Sequence, residues 1–239
     1  MELPKPIVEK WRHKSGDIFI VRDDLLVGGT KRRLFTEYIK QFPNDEEFVY
    51  ASPRQGYGQL ALSLACGVLG KSAVVFVPKG KRHQLTEDAE KYGAKIVEVP
   101  MGFLSNLNHK AQKYCEENNS HLVPFGGDSP IIIKAMANLC KDIKVVPSEI
   151  WTVISSGVIN RGLQKGFPDV KCYGVMIGHQ TTQEEKGRAT LFKSKYKFEQ
   201  NCKKSELPPF PSSLTYDSKC WSFIQEHAKP NSLFWNVGK

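Results

Sequence analysis

Short runs rich in valine and isoleucine recur along the chain, at residues 17–21, 48–51, 73–77, 95–99, 149–154, 171–177 and 232–237. Most are continuous rather than alternating, which is the pattern of strands covered on both faces. Between them, apolar side chains return at helical spacing. Leu34, Phe35, Tyr38 and Ile39 form one stripe, Leu60, Leu64 and Val68 another, and Trp221 and Ile224 share a face within 217–228. Residues 80–93, rich in Lys, Glu and Gln, read as a solvated helix. This alternation predicts an α/β fold with mostly parallel sheets, helices on both sides and ligands at the carboxyl ends of strands. Between Thr181 and Pro211 the alternation stops, and a basic then proline-rich stretch (Pro208, Pro209, Pro211) predicts an ordered loop or flap. No internal repeat or low-complexity tract interrupts the pattern.

Composition narrows the class. The chain has 239 residues, 40 % apolar and 25 % charged, which suits one large domain or two smaller ones sharing a cleft. A formal charge of +9 favours an anionic cofactor, substrate or polymer as partner. Six cysteines are scattered without a Cys-x-x-Cys pair, so reduced thiols are expected, and neither a disulfide framework nor a metal site. Residues 1–11 lack a signal-peptide core, and the longest apolar runs, such as 73–77, are too short for a bilayer. A soluble, cytoplasmic protein with no membrane partner is expected. Neither a phosphate-binding Gly-x-x-x-x-Gly-Lys-Ser/Thr loop nor Gly-x-Gly-x-x-Gly occurs, so nucleotide hydrolysis and dinucleotide redox chemistry have no support.

The most informative chemistry lies in Arg22-Asp23-Asp24-Leu25-Leu26-Val27-Gly28-Gly29-Thr30-Lys31-Arg32-Arg33. Two glycines permit a tight turn after a strand, and Thr30 is a good N-cap for a helix beginning near Lys31. The positive helix end and two arginines favour a depressed amine pKa at Lys31. A lysine that attacks an aldehyde needs such a shift, because only the neutral amine is nucleophilic. On the residues alone, a strand–turn–helix with cations facing solvent is the plainer account.

The segment resembles the Gly-Gly-Asn-Lys-x-Arg motif of the 1-aminocyclopropane-1-carboxylate deaminase and D-cysteine desulfhydrase family. These are fold-type II pyridoxal-phosphate (PLP) enzymes related to the tryptophan synthase β subunit. Further similarities follow in the same order along nearly the whole chain. They are the Ala- and Leu-rich helix within 51–70, Tyr92-Gly93-Ala94-Lys95, Val123-Pro124-Phe125-Gly126-Gly127, the loop within 153–162, Tyr216-Asp217-Ser218-Lys219 and the strand within 233–238.

The resemblance implies two α/β domains around a cofactor cleft, with 1–42 and 126–239 forming the larger domain and 43–125 the smaller. It implies that Lys31 binds PLP as a Schiff base and shuttles protons at the α-carbon. Ser155, Ser156, Gly157, Val158, Ile159 and Asn160 would form the phosphate cup, a role that backbone N–H groups before a helix can fill whatever the side chains. A simple strand-to-helix turn is the alternative there. Asp217 would face the pyridine nitrogen, keeping it protonated as an electron sink, or would merely cap the following helix. The family's other nitrogen partner, a threonine in the final strand, aligns with Val237, which cannot serve. Tyr216 would line the substrate side, or be a core tyrosine.

The departures are informative too. The family's asparagine at the ring hydroxyl is missing, and Arg54-Gln55-Gly56-Tyr57-Gly58-Gln59 fills that loop, with Gln55 or Tyr57 nearest. The substrate-carboxylate loop is altered, which implies an unusual substrate. The chain is shorter than the family, mainly between Gly178 and Pro208. That region carries a local +6 over 186–204, with Phe192, Tyr196 and Phe198 interleaved. Cations for phosphates and rings for unstacked bases suit nucleic acid, with Lys193, Lys195, Tyr196 and Lys197 as candidates. A solvated lysine-rich flap is the other account.

The reading that follows is a PLP-dependent lyase or deaminase acting at the α- or β-carbon of an amino acid. An alternative follows from similarity in size and truncation to small bacteriophage PLP enzymes that hypermodify thymine. On that reading the protein is a decarboxylase or lyase for an amino acid attached to a modified base in phage DNA. A third reading is a degenerate PLP fold kept as a nucleic-acid-binding module. The implied partners are an amino acid, free or DNA-linked, and DNA itself. A homodimer is compatible with each reading.

Overall fold

The structure is a computed structural model that describes residues 3–100 and 102–239. Its strands are β1 (Val8–His13), β2 (Gly16–Arg22), β3 (Glu47–Ala51), β4 (Ser72–Pro78), β5 (Lys95–Val99), β6 (His121–Leu122), β7 (Glu149–Ile154), β8 (Lys171–Met176), β9 (Thr190–Lys193) and β10 (Leu233–Asn236). The helices are α1 (Gly29–Ile39), α2 (Gly58–Leu69), α3 (Gln84–Lys91), α4 (Leu104–Asn118), α5 (Pro130–Leu139), α6 (Val158–Gly166), α7 (Gln183–Lys186) and α8 (Ser218–His227). The chain divides into two compact units, Thr30–Ile132 and Pro4–Gly29 with Ile133–Lys239. The fold is α/β with mostly parallel sheets.

The first unit is built on a four-stranded sheet, β5-β4-β3-β6, parallel throughout. Its continuous valine-rich strands are buried on both faces: Val49, Val74, Val75 and Val77 are at most 3 % exposed. The helical stripe of α1 is likewise buried, with Leu34, Phe35, Tyr38 and Ile39 all in the core. The expected solvated helix is shorter than 80–93. It begins at Gln84, where the His83 ring accepts the Leu85 N–H at 3.2 Å and so stops the helix from extending backwards.

The second unit holds a six-stranded sheet, β1-β2-β10-β7-β8-β9. Only β1 and β2 run antiparallel, as a tight hairpin with His13 opposite Gly16; the other pairs are parallel. The core is aromatic. Trp151 stacks on Tyr173 (centroids 4.7 Å apart) and on Phe192 (5.4 Å), and Trp221 and Ile224 of α8 pack into the same cluster.

Two expectations about elements are corrected. The stretch 181–211, expected as an ordered loop or flap, also contains regular elements: α7, and β9, which pairs in parallel with β8. Four residues in which only Leu191 and Phe192 are apolar carry too little pattern to read as a strand, yet Phe192 is needed by the core. Thr30 is not the N-cap of α1, because the helix already includes Gly29 and Thr30 lies fully buried in its first turn. Gly28 and Gly29 take φ of +90° and +57°, left-handed values that let the chain leave β2 and enter the helix within a few residues. No helix among the described residues is long and apolar enough to cross a membrane. All six cysteines are buried free thiols.

Candidate active site

Lys31, in the first unit, follows the Gly28-Gly29 turn and lies in the opening turn of α1. The side chain is only partly exposed, and its amine points inward. Nζ donates to the Gly126 carbonyl at 3.0 Å and lies 5.7 Å from the Phe35 ring. Burial brings the amine pKa down from 10.5 to about 8. The cause is desolvation, with no share from the neighbouring arginines proposed on sequence grounds.

Gly126 is itself held in place. Its N–H donates to the Tyr50 hydroxyl at 3.3 Å, and the Tyr50 ring packs edge-on against Phe35 at 5.6 Å. Burial pushes the Tyr50 phenol up to about 12, so it stays neutral. In the loop after β3, Gln55 Oε1 is buried with no hydrogen-bond partner. Tyr57 stands at the start of α2.

In the second unit, Ser155, Ser156 and Gly157 link β7 to α6. Gly157 adopts φ +70°, and a Cβ there would fall 2.5 Å from Glu185 Cα and 2.8 Å from its carbonyl oxygen. Val158, Ile159 and Asn160 begin the helix and are buried. The Asn160 amide donates to the carbonyls of Glu185 (2.7 Å) and Lys186 (3.0 Å), which ties α6 to α7. Its side-chain donors are therefore taken up inside the protein, and backbone groups at the start of α6 are what this loop offers an anion.

Asp217 is fully buried at the head of α8 but makes no capping bond through its side chain. Instead Oδ2 accepts the Val237 N–H at 3.1 Å, while Oδ1 has no partner. Val237 thus contributes through its backbone, although its side chain is inert. Burial holds the Asp217 carboxyl well above the usual range, and Asp24 and Asp23 push it further. The N–H groups of Gly238 and Val237 oppose the shift. Asp24, by contrast, is fully partnered: Arg22 grips it with two bonds of 2.8 Å, and Asn236 donates to it at 2.8 Å. Tyr216 packs against the aromatic core and donates to the Val153 carbonyl at 3.4 Å.

The aromatic residues of 186–204 are already engaged. Phe192 stacks within the core, Tyr196 donates its hydroxyl to Glu206 at 2.7 Å, and Phe198 packs on the same cluster. Lys195 pairs with Glu206 at 2.6 Å, and Arg188 binds the carbonyls of Gln164, Phe167 and Val170. Lys193, Lys197, Lys203 and Lys204 remain as exposed cations. Sequence reasoning gave no role to Tyr50 or Asn236, and quoted Asp24 and Gly126 within larger segments without assigning either a role. Their parts come mainly from contacts distant in sequence, Lys31 to Gly126, Gly126 to Tyr50 and Asn236 to Asp24.

No protein-family model matches the chain. A glycyl-dTMP PLP-dependent decarboxylase of Pseudomonas phage M6 is 26 % identical, the match covering 75 % of this chain and 77 % of that protein. An ACC deaminase homologue superposes with a TM-score of 0.84 at 16 % identity, over 99 % of this chain and 90 % of that one. The processed form of threonine deaminase isoform 2 from Solanum lycopersicum gives 0.71 at 13 %, over 98 % and 84 %. The holo diaminopropionate ammonia lyase of Escherichia coli gives 0.73 at 12 %, over 99 % and 84 %. The chain has the fold of these enzymes, the fold-type II arrangement.

Proposed function

We propose that this protein is a PLP-dependent enzyme that decarboxylates an amino acid carried on a thymidine nucleotide. One observation carries the reading: a lysine with an inward-facing amine, its pKa near 8, directly after the glycine turn of α1. The residues present fit the cofactor. The orphaned Asp217 Oδ1 suits a ring nitrogen that brings a proton, and the orphaned Gln55 Oε1 suits a ring hydroxyl. The start of α6 suits a phosphate dianion. The choice of reaction and substrate is supported by the phage relative. When bound, PLP draws electrons away from the substrate α-carbon.

The chain's own residues do the rest. Lys31 presents a usable fraction of neutral amine near pH 7; it would hold the aldehyde and would deliver a proton to the α-carbon once the carboxylate has left as carbon dioxide. Asp217, whose buried carboxyl has a raised proton affinity, would hold the proton of the ring nitrogen. Ser155, Ser156 and Gly157, with the first residues of α6, hold the phosphate. Where the nucleotide lies within DNA, Lys193, Lys197, Lys203 and Lys204 meet the strand's phosphates.

Borohydride treatment of the purified yellow protein, followed by peptide mapping, should place the pyridoxyl group on Lys31. Carbon dioxide should be released from glycyl-dTMP or glycyl-modified DNA and not from free amino acids. A colourless protein that still binds DNA would leave a nucleic-acid-binding module as the reading. Turnover of free amino acids alone would return the deaminase-like reading.

A further inference from the structure

In a parallel sheet, ligands collect at the carboxyl ends of the strands. In the first unit that edge carries the loops after β3, β4, β5 and β6, and Gly126, which the Lys31 amine touches, belongs to the last of them. Two features there have no part in the chemistry above. The loops 52–58 and 79–83 contain Arg54, Lys79, Lys81 and Arg82 and no carboxylate. Arg82 is spent on Glu90 and Glu98. Arg54 is not: one guanidinium nitrogen donates to the Lys79 carbonyl at 3.1 Å, while its Nε is buried with no partner. Finally, Phe125 is 40 % exposed, makes no ring contact among the described residues, and precedes Gly126 directly.

We propose that this edge binds the pyrimidine nucleotide bearing the amino acid, with Phe125 stacking on the base and Arg54, Lys79 and Lys81 meeting the phosphate. The inference rests on the reading that the amino acid is nucleotide-borne. Scale and chemistry agree with it. The loop after β6 is two strands away from the loop after β4, about 10 Å at the usual strand spacing, a separation suited to a base at one end and its phosphate at the other. Phe125 offers a part-exposed ring beside the Gly126 carbonyl that Lys31 touches, and a base face is a flat apolar partner of matching size. Three cations without a carboxylate partner match a phosphate dianion. A free amino acid could offer a carboxylate to these cations, but it has neither a base to cover Phe125 nor a phosphate dianion. A base inside an intact duplex could not reach Phe125 without leaving its stack, so the occupant is a nucleotide that is free, single-stranded or flipped out.

The test is calorimetric binding of dTMP and of thymidine to the full-length protein and its variants. Phe125→Ala should weaken both ligands by about five- to hundredfold, the range for losing one aromatic stacking partner. Lys79→Gln with Lys81→Gln should weaken dTMP, flatten its salt dependence and leave thymidine unchanged. A single-stranded thymidine oligonucleotide that displaces dTMP would make the source a DNA strand, and one that does not would make it the free nucleotide. Wild-type protein that fails to bind dTMP, or variants that bind as tightly as wild type, would overturn the site. Borohydride labelling separates the two ideas. If Lys31 is labelled and dTMP affinity is unchanged in the variants, only the nucleotide site fails. If no label appears but the variants still lose dTMP, only the cofactor reading fails.

Discussion

Replacing Lys31 with methionine should stabilise the cofactor-free protein at neutral pH and destabilise it in alkali. Folding lowers the pKa of this amine from 10.5 to about 8. Between those values the unfolded chain holds a proton that the folded protein has released, so this group's contribution to stability rises with pH across the window. Below pH 8 the buried ammonium is a constant penalty. The displacement corresponds to about 3 kcal/mol as a ceiling, and partial exposure of the side chain trims it toward about 2 kcal/mol. Methionine removes the penalty but also loses the bond to the Gly126 carbonyl, worth about 1 kcal/mol. The variant should therefore be about 1 kcal/mol more stable at pH 7 and less stable by a similar amount above pH 10.5. Urea titrations of both proteins at the two pH values measure this directly, provided the slopes with denaturant match. A variant less stable at pH 7, or a difference that does not change with pH, would refute a desolvated amine at Lys31. The expected trade of stability for reactivity is common where a functional group is held in a hostile setting.

Asp217→Asn keeps an acceptor for Val237 and Gly238, so borohydride should still label Lys31 while turnover falls roughly a hundredfold, the usual loss when a preorganised charge is removed. Because the folded pKa of Asp217 is raised, its stabilising contribution is full below the unfolded carboxylate pKa and is lost as pH rises through the folded pKa. The Asn variant should thus be the more stable at pH 7 in a denaturant titration. Gly157→Ala forces a Cβ within 2.5 Å of Glu185 Cα from a left-handed backbone. It should cost about 2 kcal/mol or more in thermal or urea unfolding, and PLP affinity should fall with it; an unchanged midpoint would mean that α7 does not pack on this loop. Changing Lys193, Lys197 and Lys203 to Gln should reduce the log–log salt slope of single-stranded DNA binding by about 0.7 for each phosphate no longer neutralised, with pyridoxyl labelling unaffected. A slope equal to that of the wild type would make these lysines a solvated surface only.

The buried parallel strands were legible because burial on both faces leaves a continuous apolar run, and every run from 17–21 to 232–237 corresponds to an observed strand. β1 was not legible: Val8-Glu9-Lys10-Trp11-Arg12-His13 has two apolar residues and forms a half-exposed edge, where cross-strand pairing replaces burial as the organising force. β6, only two residues long, carries no periodicity at all. At the candidate site, Lys31 could be found because its glycines are a local signal. The environment of Asp217 could not. Its unpartnered oxygen depends on β10 bringing Val237 alongside α8 and on Arg22 and Asn236 being spent on Asp24 rather than on Asp217. The same limit applied to the rings of 186–204. Sequence shows that Phe192, Tyr196 and Phe198 lie among lysines, but only the packing shows that Trp151, Glu206 and the core already occupy them.

The buried Lys219 has a consequence for how the basic loop meets proteases. Its ammonium donates to the carbonyls of Lys197 (2.7 Å) and Phe198 (2.9 Å), so the peptide bond that trypsin would cut after Lys197 is pinned to α8. Cleavage requires the chain around the bond to open locally, which here means pulling Lys219 from the interior and loosening the helix that begins beside Asp217. The bond after Lys197 is therefore expected to survive digestion as long as the domain stays folded. When it is finally cut, the rate should follow the opening of α8 rather than the exposure of the lysines themselves.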